Sequence, residues 1–250
     1  MGCNKTRHFP FPQQKENILI KNIINTQGQT KNDEEERYWH DKIMSKEVRL
    51  LQAQYVLLEK ELINTFDYVY PCEEHLGVFS TKYAMIIKSA CNLFELICRQ
   101  IYNEIYIAEK INILNFLALD VFIDFNNMYF ECPRLENEFS DEYNIFKPFN
   151  ELSGWDKNCP ISDSMIPKWW TAYNNIKHDF SNYAEYATLE NALRSICAVA
   201  ILIYKVYGPG VTIGKAGWYE ITNGQKGHYI MENSTSELFF NRDGRIIMVY

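Results

Sequence analysis

Four stretches of the chain repeat apolar residues at steps of three and four, the spacing that places side chains on one face of an α-helix. They span residues 46–67, 80–108, 166–180 and 188–206. The first stretch is the clearest, and its apolar side chains are Val48, Leu51, Tyr55, Leu58, Leu62 and Phe66. Amphipathic helices bury their apolar faces against one another. The pattern therefore predicts a mainly α protein built as a helical bundle.

The regions outside these stretches carry other signals. A further helix is predicted over residues 112–126, and the acid-rich, proline-containing residues 131–163 predict a long connection. Beyond the Gly-Pro-Gly at 208–210, short apolar runs at 238–240 and 246–250 flank an Asp-Gly dipeptide, which predicts a β-hairpin. We expect a polar, flexible lead-in at 1–35, a helical domain at 36–207 and a small C-terminal β-hairpin appendage at 208–250.

The charge of the chain limits what it can bind. Lys and Arg number 25 and Asp and Glu number 32, so the net charge is −7 with neutral histidines. That balance argues against bulk electrostatic binding of duplex DNA. Acids concentrate at residues 114–163, where ten face three bases, whereas residues 165–207 hold four bases and three acids. A local site for RNA or a nucleotide is therefore compatible with the second region.

The cysteines predict a reducing, cytoplasmic location. Their number is seven, which is odd, and no CxxC or Cys/His zinc spacing occurs. We expect no disulfide framework, no metal site and no cofactor, since P-loop, Rossmann and GxSxG patterns are also absent from the sequence. No signal peptide is recognisable and the apolar run 198–204 is too short to span a bilayer, so no membrane partner is expected.

The start of the chain leaves one alternative open. MGCNKT fits the pattern for N-myristoylation, with Gly2 as the acceptor and Cys3 available for a second lipid. Short motifs of this kind arise often by chance. We favour coincidence over lipidation.

The chemistry of the chain concentrates at residues 169–180, which read WWTAYNNIKHDF. Side chains three and four positions apart overlie one another on a helix, so Trp170, Asn174 and His178 form one stripe, bordered by Lys177. Of these side chains, only His178 exchanges a proton near neutral pH. The stripe is therefore the candidate functional site.

A second polar group lies on the apolar helix predicted at 80–108. Glu95 stands among apolar neighbours, and a half-buried carboxylate needs a partner. Arg99, one turn further on, is the simplest partner. Alternatively, Glu95 orients His178 or Lys177 across a helix interface.

The helix order, the segments ACNLFELICR and ATLENALRSICAVAILI, and the Asn-x-x-Lys-His of residues 174–178 together resemble a HEPN domain (higher eukaryotes and prokaryotes nucleotide-binding) over about residues 46–207. The resemblance implies a HEPN-like helical bundle that forms a homodimer and interacts with RNA or a nucleotide. Many HEPN domains are metal-independent endoribonucleases of bacterial toxin or anti-phage defence systems, with an R-x4–6-H motif. His178 matches the motif histidine and Asn174 its polar position, whereas Tyr173 stands where arginine is expected.

The resemblance assigns roles to the residues of both helices. His178, Lys177 and Asn174 are the candidate catalytic residues. The candidate substrate-binding residues are Tyr173, Trp170, Glu95 and Arg99. Because the motif arginine is replaced, two functions stay open: a metal-independent endoribonuclease, and a catalytically inactive dimerisation or partner-binding module.

Plainer structural interpretations apply to the same residues. His178 near a helix C-terminus is favourable on dipole grounds alone. Trp169 and Trp170 fit a core better than a base-stacking platform, because aromatic side chains mostly pack inside.

Overall fold

Helices account for most of the part of the chain that the computed structural model describes, which is residues 46–105, 112–118, 147–155, 161–207, 228–230 and 245–247. The α-helices are α1 (Lys46–Ile63), α2 (Thr81–Ile105), α3 (Ile113–Leu117), α4 (Lys168–His178), α5 (Phe180–Tyr183) and α6 (Leu189–Tyr207). Short 3-10 turns occupy Asn64–Asp67, Glu73–His75, Asn150–Leu152, Asp163–Met165 and Ala184–Tyr186. The prediction of a mainly α protein is confirmed.

Side-chain caps fix where the long helices begin. The hydroxyl of Ser80 accepts a hydrogen bond from the backbone N–H of Tyr83 at 3.1 Å, just before α2. Thr188 does the same for Asn191 at 3.2 Å, just before α6. Each cap satisfies one of the N–H groups that a helix start leaves without a partner. The boundaries of both helices are therefore encoded in the sequence itself.

The centre of the bundle is α6, which packs against α1, α2 and α4. Every side chain from Ser195 to Ile203 is fully buried. The one polar group among them, the hydroxyl of Ser195, donates a hydrogen bond to the carbonyl of Ala192 at 2.9 Å. A helix that is apolar on all sides needs neighbours on all sides. The other long helices supply that cover.

An aromatic cluster docks α4 onto α2. The ring of Trp169 lies 5.2 Å from that of Phe94 and 6.0 Å from that of Phe149, both edge-on. Its indole N–H donates to the carbonyl of Pro148 at 2.7 Å. A buried tryptophan needs such a partner for its one donor. The cluster therefore fixes the position of α4, which carries the candidate catalytic residues.

The four predicted helices are confirmed over the described residues, with two adjustments at their ends. The first helix becomes a 3-10 turn from Asn64 onward. The third ends at His178, because Asp179 leaves helical geometry with φ −152° and ψ 81°. Residues 106–108 and most of the helix predicted at 112–126 lie outside the described residues. Nowhere in the described ranges is a helix both long and apolar enough to cross a membrane.

The C-terminal hairpin is not confirmed. Two strands, β1 (His228–Ile230) and β2 (Arg245–Ile247), pair antiparallel with Tyr229 opposite Ile246. Residues 238–240, the predicted partner strand, lie outside the described residues, as does the lead-in at 1–35.

Candidate functional site

The candidate site lies where α4 crosses the surface of α2, a junction that we call the α2/α4 seam. Residues with decreasing numbers on α2 contact residues with increasing numbers on and just after α4, so the two helices run antiparallel. The defining contacts are Phe94 with Trp170 at 5.8 Å between ring centroids, Asn92 with Tyr173 at 2.8 Å, and Lys88 over the ring of Phe180 at 5.6 Å.

Tyr173 is the centre of the polar contacts in the seam. Its ring is buried, and its hydroxyl donates a hydrogen bond to Oδ1 of Asn92 at 2.8 Å. The same hydroxyl accepts a hydrogen bond from Nζ of Lys177 at 3.0 Å. The ammonium of Lys177 also lies 5.0 Å from the centroid of the Tyr173 ring, within cation–π range. Asn92 and Tyr173 therefore hold Lys177 in one place.

The surroundings of Lys177 favour its charged form. Its hydrogen bond to Tyr173 is the largest cause that raises the pKa of Lys177 above its ordinary value, and the carboxylate of Glu95 raises it further. Partial burial and the nearby Arg99 oppose the increase. The net direction is upward, so Lys177 is a fixed positive charge at neutral pH.

Glu95 takes the simpler of its two predicted partners. Nε and Nη2 of Arg99 donate to the same oxygen of Glu95 at 2.8 and 2.6 Å. Both side chains also act electrostatically on Lys177. Within the described part of the chain, Glu95 makes no contact with His178. Across the helix interface, the effect of Glu95 on Lys177 is electrostatic and involves no ion pair among the described contacts.

The predicted stripe of Trp170, Asn174 and His178 runs from the core to the surface. Trp170 is 5% exposed, and its ring packs against those of Phe94, Trp169 and Tyr173. Asn174 is half-buried and His178 is exposed at the end of α4. Trp170 thus belongs to the core and is not a base-stacking platform, because the faces of its ring are covered and cannot stack on a nucleic-acid base.

His178 is open to any molecule that approaches the end of α4. In the described ranges its imidazole makes no hydrogen bond or ion pair. It follows Lys177 directly and ends the helix, where the dipole favours positive charge. An exposed imidazole can exchange a proton with a molecule that binds at this end of the helix.

Two cysteines lie beneath the seam but offer no nucleophile. Cys91 and Cys98 are fully buried, and burial, followed by the negative charge of Glu95, raises the pKa of both thiols well above the ordinary value. Because the thiolate is the reactive form, both stay inert. Among the residues that the structure describes, no three His, Cys, Asp or Glu side chains are grouped to hold a metal ion.

Sequence reasoning missed Asn92, Lys88 and Phe180. The signal for the first two was present, since Lys88, Asn92, Glu95 and Arg99 recur at steps of four, three and four along α2. That spacing places them on one side of the helix. The partner across the seam, however, depends on how α4 docks, which the periodicity of α2 alone does not give.

Comparison with known proteins adds no assignment. No protein-family model matches the chain, and no curated protein or solved structure matches it significantly. The functional argument therefore rests on the geometry of the seam.

Proposed function

We propose that this chain is a HEPN-like protein that binds RNA or a nucleotide at the α2/α4 seam and cleaves RNA weakly, without a metal ion. One observation carries the proposal. The ammonium of Lys177 is held at 3.0 Å from the hydroxyl of Tyr173, and the next residue, His178, exposes its imidazole at the end of α4. A fixed cation and a proton-exchanging group are the two components that phosphodiester cleavage needs when no metal takes part.

The proposed reaction uses the 2′-hydroxyl of the RNA as the nucleophile. His178 accepts the 2′ proton, the 2′ oxygen attacks the adjacent phosphorus, and the bond to the 5′ oxygen breaks. The 5′ oxygen takes up a proton from water as it leaves, a 2′,3′-cyclic phosphate remains, and His178 returns its proton to the solvent. Lys177 stabilises the negative charge that builds on the phosphate oxygens, and Asn174 donates a hydrogen bond to the substrate.

The replacement of the motif arginine by Tyr173 explains why the proposed activity is weak. A lysine ammonium contacts phosphate as a point charge and lacks the two-pronged geometry of a guanidinium. The guanidinium of Arg99, which is close enough to act electrostatically on Lys177, is engaged by Glu95. The phosphate therefore meets one well-placed cation instead of two.

The proposal includes a cytosolic homodimer. The resemblance implies a site that two copies complete together. Four large apolar side chains, Leu50 and Leu57 on α1 and Met85 and Leu96 on α2, are exposed on helices that Lys82 and Glu61 join by an ion pair. Exposed apolar side chains of this kind suit an isologous contact with a second copy. Light scattering that detects only monomer at micromolar concentration would count against the dimer.

A second candidate is a catalytically inactive dimerisation or partner-binding module. Local pairing favours it, because Lys177 bonds to Tyr173 and Arg99 to Glu95 instead of both pointing freely outward. In that case the seam stabilises the fold, and RNA is neither bound nor cut there.

RNA cleavage assays separate the two candidates. Wild type and His178→Ala are incubated with labelled single-stranded RNA in the presence of EDTA, and products are resolved on a gel. The nuclease proposal requires cleavage by wild type and none by His178→Ala. His75→Ala is the matched control, because the His75 imidazole bonds to the carbonyl of Tyr70 in the turn between α1 and α2. Failure of wild type to cut RNA would favour the inactive module.

A further inference from the structure

Two tyrosines expose their rings directly after the seam. Tyr183 is 38% exposed and Tyr186 41% exposed, and their ring centroids lie 5.8 Å apart at an interplanar angle of 58°. We call these residues the tyrosine pair. Neither residue belongs to the polar cluster around Tyr173, and the proposed cleavage reaction does not use them.

The backbone that carries the tyrosine pair is anchored at both ends. Before it, Oδ1 and Oδ2 of Asp179 accept hydrogen bonds from the backbone N–H and side-chain amide of Asn182 at 3.2 and 2.6 Å. After it, the side-chain amide of Asn191 donates to the carbonyl of Tyr186 at 2.9 Å, and Ser80 N–H donates to the carbonyl of Ala187 at 3.1 Å. The backbone that carries the two rings is therefore held in position before any ligand arrives.

Two lysines of the α2/α4 seam lie over aromatic rings. Lys88 is placed over Phe180 at 5.6 Å and Lys177 over Tyr173 at 5.0 Å, and across the described ranges neither forms an ion pair with a carboxylate. Other cations of the bundle do have carboxylate partners, namely Lys82 with Glu61, Arg99 with Glu95 and Arg194 with Glu190. Lys88 and Lys177 thus keep their charge available for an incoming anion.

We propose that the tyrosine pair stacks unpaired bases of a single-stranded nucleic acid whose phosphates lie against Lys88 and Lys177. This inference rests on the proposed function and specifies its substrate as single-stranded. Every base offers a π-face that can stack on an aromatic ring, but in a duplex those faces are already stacked on neighbouring bases. The segments that carry the tyrosine pair contact α4, so one strand could place its phosphates on the lysines of the seam and its bases on the two rings.

A strand that cannot be cut allows the contribution of base stacking to binding to be measured separately from cleavage. The probe is a fluorescein-labelled oligodeoxynucleotide of mixed sequence, which lacks the 2′-hydroxyl, and binding is followed by fluorescence anisotropy. We expect Tyr183→Ala and Tyr186→Ala each to weaken binding by about 5- to 150-fold, the range typical of one lost base–aromatic stack. Tyr183→Phe and Tyr186→Phe keep the ring and should bind like wild type. Tyr68→Ala removes a tyrosine that is 90% exposed in the turn after α1, and should leave binding unchanged.

The salt dependence tests the lysines. For single strands, each neutralised phosphate contributes a slope of about −0.7 to the plot of log affinity against log salt concentration. Lys88→Ala should therefore make the slope shallower by about 0.7. Lys60→Ala, which removes an exposed lysine from the last turn of α1, is the matched control and should not change the slope.

The outcomes separate the stacking from the nuclease. If wild type cuts RNA and binds the oligonucleotide, and both alanine variants bind equally well, the stacking inference is overturned while the proposed function stands. If binding depends on the pair but wild type cuts no RNA, the nuclease is refuted and the stacking stands. The stacking is also overturned if wild type binds the annealed duplex as tightly as the single strand, or does not bind the single strand at all. A contact with a protein partner would then be the better explanation for the two exposed rings.

Discussion

The hydroxyl of Tyr173 accepts a hydrogen bond from Nζ of Lys177 at 3.0 Å, one turn along the same helix. Under the proposed HEPN resemblance, Tyr173 stands in the place of the motif arginine, and its hydroxyl supports the cation of Lys177 instead. Because the same hydroxyl donates to Asn92 on α2, the position of Lys177 depends on two helices at once.

Tyr173→Phe tests this arrangement directly. The variant keeps the buried ring but removes the hydroxyl that joins Asn92 to Lys177. We expect a loss of about 1 kcal/mol in the free energy of unfolding, the usual net contribution of a hydrogen bond. The pKa of Lys177 should fall toward its ordinary value. NMR titration of the lysine side chains measures the second effect, and an unchanged pKa would show that the hydroxyl does not hold the ammonium.

The raised pKa of Lys177 has a consequence at alkaline pH. A lysine whose pKa is higher in the folded chain than in the unfolded chain stabilises the fold below the unfolded pKa, and that stabilisation is lost as pH rises through the folded pKa. The difference in unfolding free energy between wild type and Lys177→Gln should therefore shrink as the pH rises above the ordinary lysine value of 10.5. Urea titrations across that range measure it. A difference that grows with pH would contradict the assigned direction.

Trp169→Ala should be among the most damaging substitutions in the chain. It removes a fully buried ring that contacts Phe94 and Phe149 and leaves the carbonyl of Pro148 without its donor. We expect a loss of about 3–5 kcal/mol in the free energy of unfolding. Tyr68→Ala, at an exposed site, should stay within about 0.5 kcal/mol of wild type. Equal costs at both positions would place Trp169 outside the core.

Ala198→Leu tests how tightly α6 is surrounded. Ala198 is fully buried in the middle of that helix, so a larger side chain must displace its neighbours. We expect a cost of about 1–3 kcal/mol from overpacking. Ala53→Leu makes the same change on the exposed face of α1 and should shift stability by no more than about 0.5 kcal/mol. Chemical denaturation measures the unfolding free energy of both variants. Equal losses would show that the packing around Ala198 leaves room for a larger side chain.

His178→Ala should reduce RNA cleavage by about 10²–10⁴-fold, the usual effect of removing a general acid or base. Thermal stability should be nearly unchanged, because the imidazole is exposed and its removal opens no cavity. Chelators should have no effect on the wild-type rate. Cleavage that persists in the variant, or that requires a divalent ion, would refute the proposed mechanism.

The apolar periodicity predicts the long helices well because their boundaries are set locally. Ser80 and Thr188 cap their helices with their own hydroxyls, and such contacts are readable from neighbouring residues. The sequence predicts less completely which side chains of α4 are buried and which are exposed. Trp170 was placed on the polar stripe, yet both it and Tyr173 are buried, because α4 packs against α2 and α6 and so buries a wider arc than one partner would.

The site residues on α2 could be predicted only in part for a different reason. The pair of Glu95 and Arg99 is local and follows from their spacing. Asn92 acquires its role only through Tyr173, which is far away in sequence but faces it across the docked helices. A contact of that kind depends on how two helices meet, and no pattern within either helix specifies it.

The complete burial of residues 195–203 in α6 also bears on the order in which the bundle can form. During synthesis, α1, α2 and α4 emerge from the ribosome before the helix against which they pack. Until α6 follows, their apolar faces have no common core and stay exposed to water and to other chains. Stable folding of the bundle is therefore coupled to the translation of residues 189–207.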